Sequence, residues 1–213
     1  MIKMLFLLVP LILFTNSCQK NADSKEEVII EEELTKEEQL KKLYVESVIP
    51  LFKNFDGVEI PTEFKIDTKD NSINAGASFG YVEVSQGLIN YMDKGLQTFV
   101  LAHEVAHIVT LKQANKFNLI GAIPKGSVTN DYKKSEFLAD LIAFHLINLY
   151  ESETSKILVD KLETLEKLLG LETFTHPSGK KRVKQLNSYL QNCKIKSKEE
   201  VFKTMFLEIW QLE

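Results

Sequence analysis

Two imidazoles and a carboxylate fall within five consecutive residues of this chain, His103-Glu104-Val105-Ala106-His107. On a helix, residues four apart stand one above the other, so His103 and His107 can bind a single ion through one face. Glu104, one residue round the helix, can then reach a water on that ion and act as its base, the arrangement a zinc hydrolase needs. The chain has only four histidines, and half of them are here. A catalytic zinc takes three protein ligands and keeps one position for water, so a third ligand must come from elsewhere.

Glu136-Phe137-Leu138-Ala139-Asp140 supplies a candidate. It places two carboxylates four apart on one helical face, inside a segment otherwise made of Phe137, Leu138, Leu141, Ile142 and Phe144. Carboxylates aimed into a core are costly unless they are paired or bind metal. Glu136 is therefore read as the third ligand of one Zn2+ per chain. Asp140 would accept the outer N–H of a ligating histidine and fix its tautomer. The plain alternative is a solvated face with two ordinary acids. A purely structural zinc would need four protein ligands, often cysteines, and Cys193 has no second cysteine near it in sequence.

These residues require helices to position them. Thr35 followed by Glu38 is a capping-box pattern, and Leu40, Leu43, Tyr44, Val48, Leu51, Phe52 and Phe55 recur at helical spacing. The pattern predicts a helix over Thr35–Asn54, kinked near Pro50. Phe64 and Ile66, then Ile73, Ala75 and Ala77, then Val82 and Val84 alternate as three short strands, the last two joined around Phe79-Gly80. A short helix over Gly87–Tyr91 precedes the histidine helix, Lys94–Lys112. A loop over Asn115–Asn130, containing Gly121, Pro124 and Gly126, leads to a strong helix at Lys133–Tyr150. Further helices are expected over Ser152–Leu169, Gly179–Asn192 and Ser197–Leu212. The expected class is α+β, mainly helical, with one small antiparallel sheet beside the histidine helix.

With 213 residues and 44% apolar content the chain can bury one real core. Its first segment stands apart. Lys3, the apolar run Leu5–Phe14 and Thr15-Asn16-Ser17-Cys18 have the layout of a secretory signal, and the apolar run is short for a membrane span. Cys18 sits where a lipoprotein signal has its lipidated cysteine. The expected organisation is a signal peptide at 1–17, a lipidated, flexible acidic tether at 18–34, and the catalytic domain at 35–213. Ordinary secretion, or a Cys18–Cys193 bridge, is the alternative. Export and acylation imply a membrane-anchored lipoprotein in the bacterial envelope, facing the periplasm or the cell surface. The net charge of −4 gives no reason to expect nucleic acid.

Taken together, His103-Glu104-Val105-Ala106-His107 and Glu136-x-x-Ala139-Asp140 resemble the gluzincins of metallopeptidase family forty-eight, which includes HtpX-like heat-shock proteases and CaaX prenyl proteases. Asn74-Ala75-Gly76-Ala77, Gly80-Tyr81-Val82-Glu83-Val84, Gly87-Leu88 and Val100-Leu101-Ala102 are similar to the family's approach to the metal helix. Thr175-His176-Pro177 with Arg182 is similar to its His-Pro motif and following arginine. The resemblance spans about Ser72–Leu186. It departs at Lys112, where a histidine is often found, in the short stretch between His107 and Glu136, and in lacking the transmembrane helices of the integral membrane members.

The resemblance implies a zincin-like zinc endopeptidase whose partners are polypeptide substrates, with a role in envelope protein quality control. It implies that Asn74, Ala75, Gly76 and Ala77 form an edge strand on which an extended substrate can lie, small side chains easing its approach. His176 would be a fourth ligand at rest or a transition-state donor. Arg182 would stabilise the oxyanion or, the preferred role, hold the His-Pro loop. His145 falls on the helix face opposite Glu136 and reads as structural, Trp210 as core, and Tyr132 and Tyr189 as oxyanion donors without a spacing argument. A noncatalytic peptide-binding chaperone or assembly factor that keeps the metal site is the competing function.

Overall fold

Thr35 begins the first helix as its pattern requires. Its hydroxyl accepts from Glu38 N at 3.2 Å, while the Glu38 carboxylate accepts from Thr35 N at 2.8 Å. In this computed structural model, which describes residues 33–213, α1 (Lys36–Leu43) runs on as a π turn at Tyr44–Val48 and a 3-10 turn at Ile49–Phe52. Pro50, having no N–H to give the ladder, explains why the α form is not kept. The signal segment, Cys18 and the tether up to residue 32 lie outside the described residues.

Strands β1 (Glu63–Asp67), β2 (Ala75–Ser78) and β3 (Tyr81–Ser85) form one sheet in the order β1-β3-β2. The sheet is mixed rather than wholly antiparallel: β2 and β3 make an antiparallel hairpin, but β1 and β3 run parallel. The topology explains this. β1 and β2 flank β3 on opposite edges, so a chain that runs up, down and up again must bring its first and third strands side by side in the same direction. Gly80 turns the hairpin at φ +85, a conformation that suits glycine. Val82 and Val84 point into the core opposite Ala77 and Ala75, and β2 lies against the histidine helix.

After the short α2 (Gln86–Asn90), helices α3 (Lys94–Lys116) and α4 (Asp131–Tyr150) make the centre of the molecule. They pack antiparallel in regular layers: Phe99 meets Phe144, His103 meets Asp140, and His107 meets Glu136. Each step of four residues up α3 is matched by four down α4, which is one helical turn on each. The stretch expected as one helix at Ser152–Leu169 is two, α5 (Ser152–Asp160) and α6 (Leu162–Leu169), separated at Lys161. Leu158, Leu162 and Leu165 are buried on either side of the break, and because they keep helical spacing through it, apolar pattern alone does not distinguish two helices from one. α7 (Gly179–Asn192) and α8 (Lys198–Trp210) close the structure. At Gly179 any Cβ would lie 2.0 Å from Glu166 O, so glycine sets how closely α7 begins against α6. Trp210 is buried, and among the described residues no helix is long and apolar enough to cross a membrane.

Candidate metal centre

The layers of α3 and α4 bring together the ligands read from sequence. Among the described residues, His103, His107 and Glu136 form the one group whose donor atoms all lie within 4.8 Å of one another. The two imidazoles face each other through Nε2 at 3.1 Å. Glu136 lies beside both, with Oε2 3.4 Å from His103 Nε2 and Oε1 3.2 Å from His107 Nε2. Each ring is held from behind. His103 Nδ1 is 3.0 Å from Asp140 Oδ1, and His107 Nδ1 is 3.0 Å from Ser135 Oγ. Fixing the outer nitrogen aims the inner one, which is how ligating histidines are oriented.

Asp140 is fully buried and shared with Arg182, whose Nε and Nη2 donate to its two oxygens at 2.7 Å each. Arg182 Nη1 also lies 3.1 Å from Glu136 Oε2, yet that oxygen accepts no well-aligned hydrogen bond. A buried acceptor without a partner is costly, and here it points where the two Nε2 atoms converge. The carboxylates of Glu104, Glu136 and Asp140 share one guanidinium, and without an ion the remaining negative charge holds a proton on His103. Donor type, donor direction and charge all suit a divalent cation.

The same imbalance shapes the titrations. Burial pushes the His103 pKa down, but hydrogen bonds to Asp140 and Glu136 outweigh it and raise it to about 9. Burial pushes Glu136 up, and hydrogen bonds from His103 and His107 reverse this and hold it far below the usual carboxylate range. Asp140 is likewise held low, with Arg182 and His103 overcoming its burial. Glu104 differs: burial raises its pKa, and the nearby histidines only partly offset that. A carboxyl raised toward neutrality suits a group that must take up and release a proton.

The remaining sequence-read residues divide. His103, Glu104, His107, Glu136, His176 and Arg182 line one cleft of about 270 Å³, with Asn74 and Ala75 on its opposite lip. Gly76 and Ala77 continue the strand beyond it, and a Cβ at Gly76 would meet nothing within 4 Å, so no packing among the described residues requires glycine there. His176 is half-exposed at the mouth, its Nε2 3.7 Å from Glu136 Oε1 and its Nδ1 2.8 Å from Thr175 Oγ1. Its loop is anchored by Glu172, which pairs with Lys133 on α4 and Lys181 on α7. His145 lies away from the centre, against Tyr189 and Phe202, which also removes Tyr189 from the site. Ser135 and Glu172 were not read from sequence. A serine on a helix and a glutamate in a loop carry no spacing signal of their own. Phe99, Val100, Leu168 and Leu169 complete the walls of the cleft.

Residues 36–120, two fifths of the chain, match the model of peptidase family M48, a family of metallopeptidases. The match covers α1 to the end of α3, including the His-Glu-x-x-His segment, and stops before α4, so the tertiary structure rather than the match brings Glu136 and Asp140 to the histidines. No curated protein and no solved structure matches the chain.

Proposed function

We propose that this protein is a zinc-dependent endopeptidase of the bacterial envelope, tethered to a membrane through a lipid on Cys18 and cutting envelope or membrane-associated proteins in quality control. The observation that carries the reading is the convergence of His103 Nε2, His107 Nε2 and Glu136 Oε2, an oxygen that accepts no aligned hydrogen bond, with Glu104 lining the same cleft. His103, His107 and Glu136 would hold the ion. A zinc bound there would supply Lewis acidity, polarising the scissile carbonyl and bringing the pKa of a water toward about 7.

The chain's own residues account for the rest. Glu104 takes a proton from the attacking water as its oxygen bonds to the carbonyl carbon, then delivers that proton to the amine nitrogen as the C–N bond breaks. The start of β2 borders the cleft, and its free edge offers main-chain groups to an extended peptide. Arg182, bound to Asp140 and beside Glu136, positions the carboxylates that orient His103.

Glu104→Gln tests the reading. Zinc content should stay near one per chain, while hydrolysis of an unfolded protein such as reduced casein should fall by about 10²–10⁴-fold, the usual contribution of a general base. Full activity in that variant would overturn the mechanism. Zinc binding without hydrolysis by the unaltered protein would favour a peptide-binding chaperone.

A further inference from the structure

A second cavity, of about 350 Å³, adjoins the metal centre on the far side of His107. It shares two residues with the centre, His107 itself and Ser135, which holds the His107 ring. Its other walls are mostly apolar: Leu111 from the last turns of α3, Ala122 and Ile123 from the 117–130 loop, and Tyr132 from the first turn of α4, with the Thr110 hydroxyl turned back onto Ala106 O. Leu111 and Tyr132 are 48% and 55% exposed, so together they present an apolar surface beside the metal centre. Phe174 extends the apolar lip, its ring 6.2 Å from that of Tyr132. Asp131 also lines the cavity, and among the described residues no cation lies within ion-pairing distance of it.

We propose that this cavity takes a large apolar side chain of the substrate, from a residue flanking the scissile bond, and turns acidic side chains away. The proposal rests on the peptidase reading. Continuity with His107 is what assigns the occupant: a peptide whose carbonyl lies over the metal centre has a neighbouring side chain within reach of the cavity that shares the His107 wall. Leu111, Ile123 and Tyr132 give that side chain apolar contact. The unpaired carboxylate of Asp131 repels a like charge, so selection combines attraction with exclusion.

Ala122 is exposed, so Ala122→Trp fills the cavity without disturbing the core. Peptides from a digested proteome, cut by the zinc-loaded full chain and read by mass spectrometry, should show Leu, Ile, Met or Phe enriched at one flanking position and Asp and Glu depleted. Ala122→Trp should move that position to Gly, Ala or Ser, with cleavage beside Leu or Phe falling about tenfold, the scale of discrimination in an apolar pocket. Asp131→Asn should restore acidic residues at that position and leave the apolar preference in place. A flat profile in the unaltered protein, or an Ala122→Trp profile identical to it, would overturn the pocket.

Binding separates this from failure of the peptidase reading. In zinc-loaded Glu104→Gln, fluorescein-labelled peptides with Leu at a central position should bind about tenfold tighter than their Ser counterparts, and added Ala122→Trp should erase the difference. Equal binding of the two peptides would sink the pocket even if hydrolysis occurs. Absent hydrolysis with the binding difference intact would sink only the peptidase.

Discussion

His103 and His145 are buried almost equally, at 6% and 5% exposure, yet their chemistry diverges. His103 sits between Asp140 and Glu136, and these carboxylates outweigh burial and raise its pKa to about 9. His145 stacks on Phe202 at 4.1 Å and meets Tyr189 Oη at 2.8 Å. With no anion beside it, burial wins, aided by the charge of Lys198, and its pKa falls to about 4. Burial alone therefore does not mark a functional histidine. What marks it is an excess of negative charge that a cation would satisfy.

The largest test of this contrast is Arg182→Met. It removes the one guanidinium between Asp140 and Glu136 and leaves buried carboxylates uncompensated, a loss of about 3–5 kcal/mol in stability. Denaturation with and without zinc should show the larger loss in the zinc-free protein. Equal losses would mean that Arg182 and a cation do not answer the same charge.

Next come the pH limbs of the zinc-free protein, each of order 3 kcal/mol at most. The raised pKa of His103 means that folding retains a proton the unfolded chain gives up. That stability is complete below about 6.5 and lost as pH rises through about 9. The depressed pKa of His145 works the other way, its stability being present above about 6.5 and lost as pH falls through about 4. Urea midpoints should therefore decline on both sides, His103→Gln flattening the alkaline limb and His145→Gln the acid one. A limb unmoved by its own substitution breaks the contrast.

Asp140→Asn should weaken zinc binding by about 10–100-fold, measured by competition with a chelator, because it loosens the hold on the His103 ring. Smallest is Tyr189→Phe, which removes the hydroxyl beside His145. It should cost about 1 kcal/mol of stability and leave zinc affinity unchanged. A change in affinity would show that the two histidine environments are coupled.

The sequence carried much of this because charge in an apolar context is legible. Glu136 and Asp140 stand out among Phe137, Leu138, Leu141 and Ile142, and the α-helical period puts both toward the histidines. His145 was placed on the other face by the same period. The parallel pairing of β1 with β3 was not legible, because alternation says which face is buried and not which strand lies alongside. The break at Lys161 was hidden by apolar residues that continue at helical spacing through it. Ser135 escaped because its role exists only once α3 and α4 are laid together.

The layered packing of α3 against α4 has a consequence for how such a protein can change. His103, His107, Glu136 and Asp140 are held in register by contact between helices, and the 117–130 segment that joins them supplies none of these four. The segment can lengthen, shorten or alter its composition while the donor atoms keep their spacing. Its evolutionary freedom is thus separate from that of the chemistry. Ala122 and Ile123 belong to this segment, so under the pocket proposed above the selection of substrate would vary independently of the metal-binding residues.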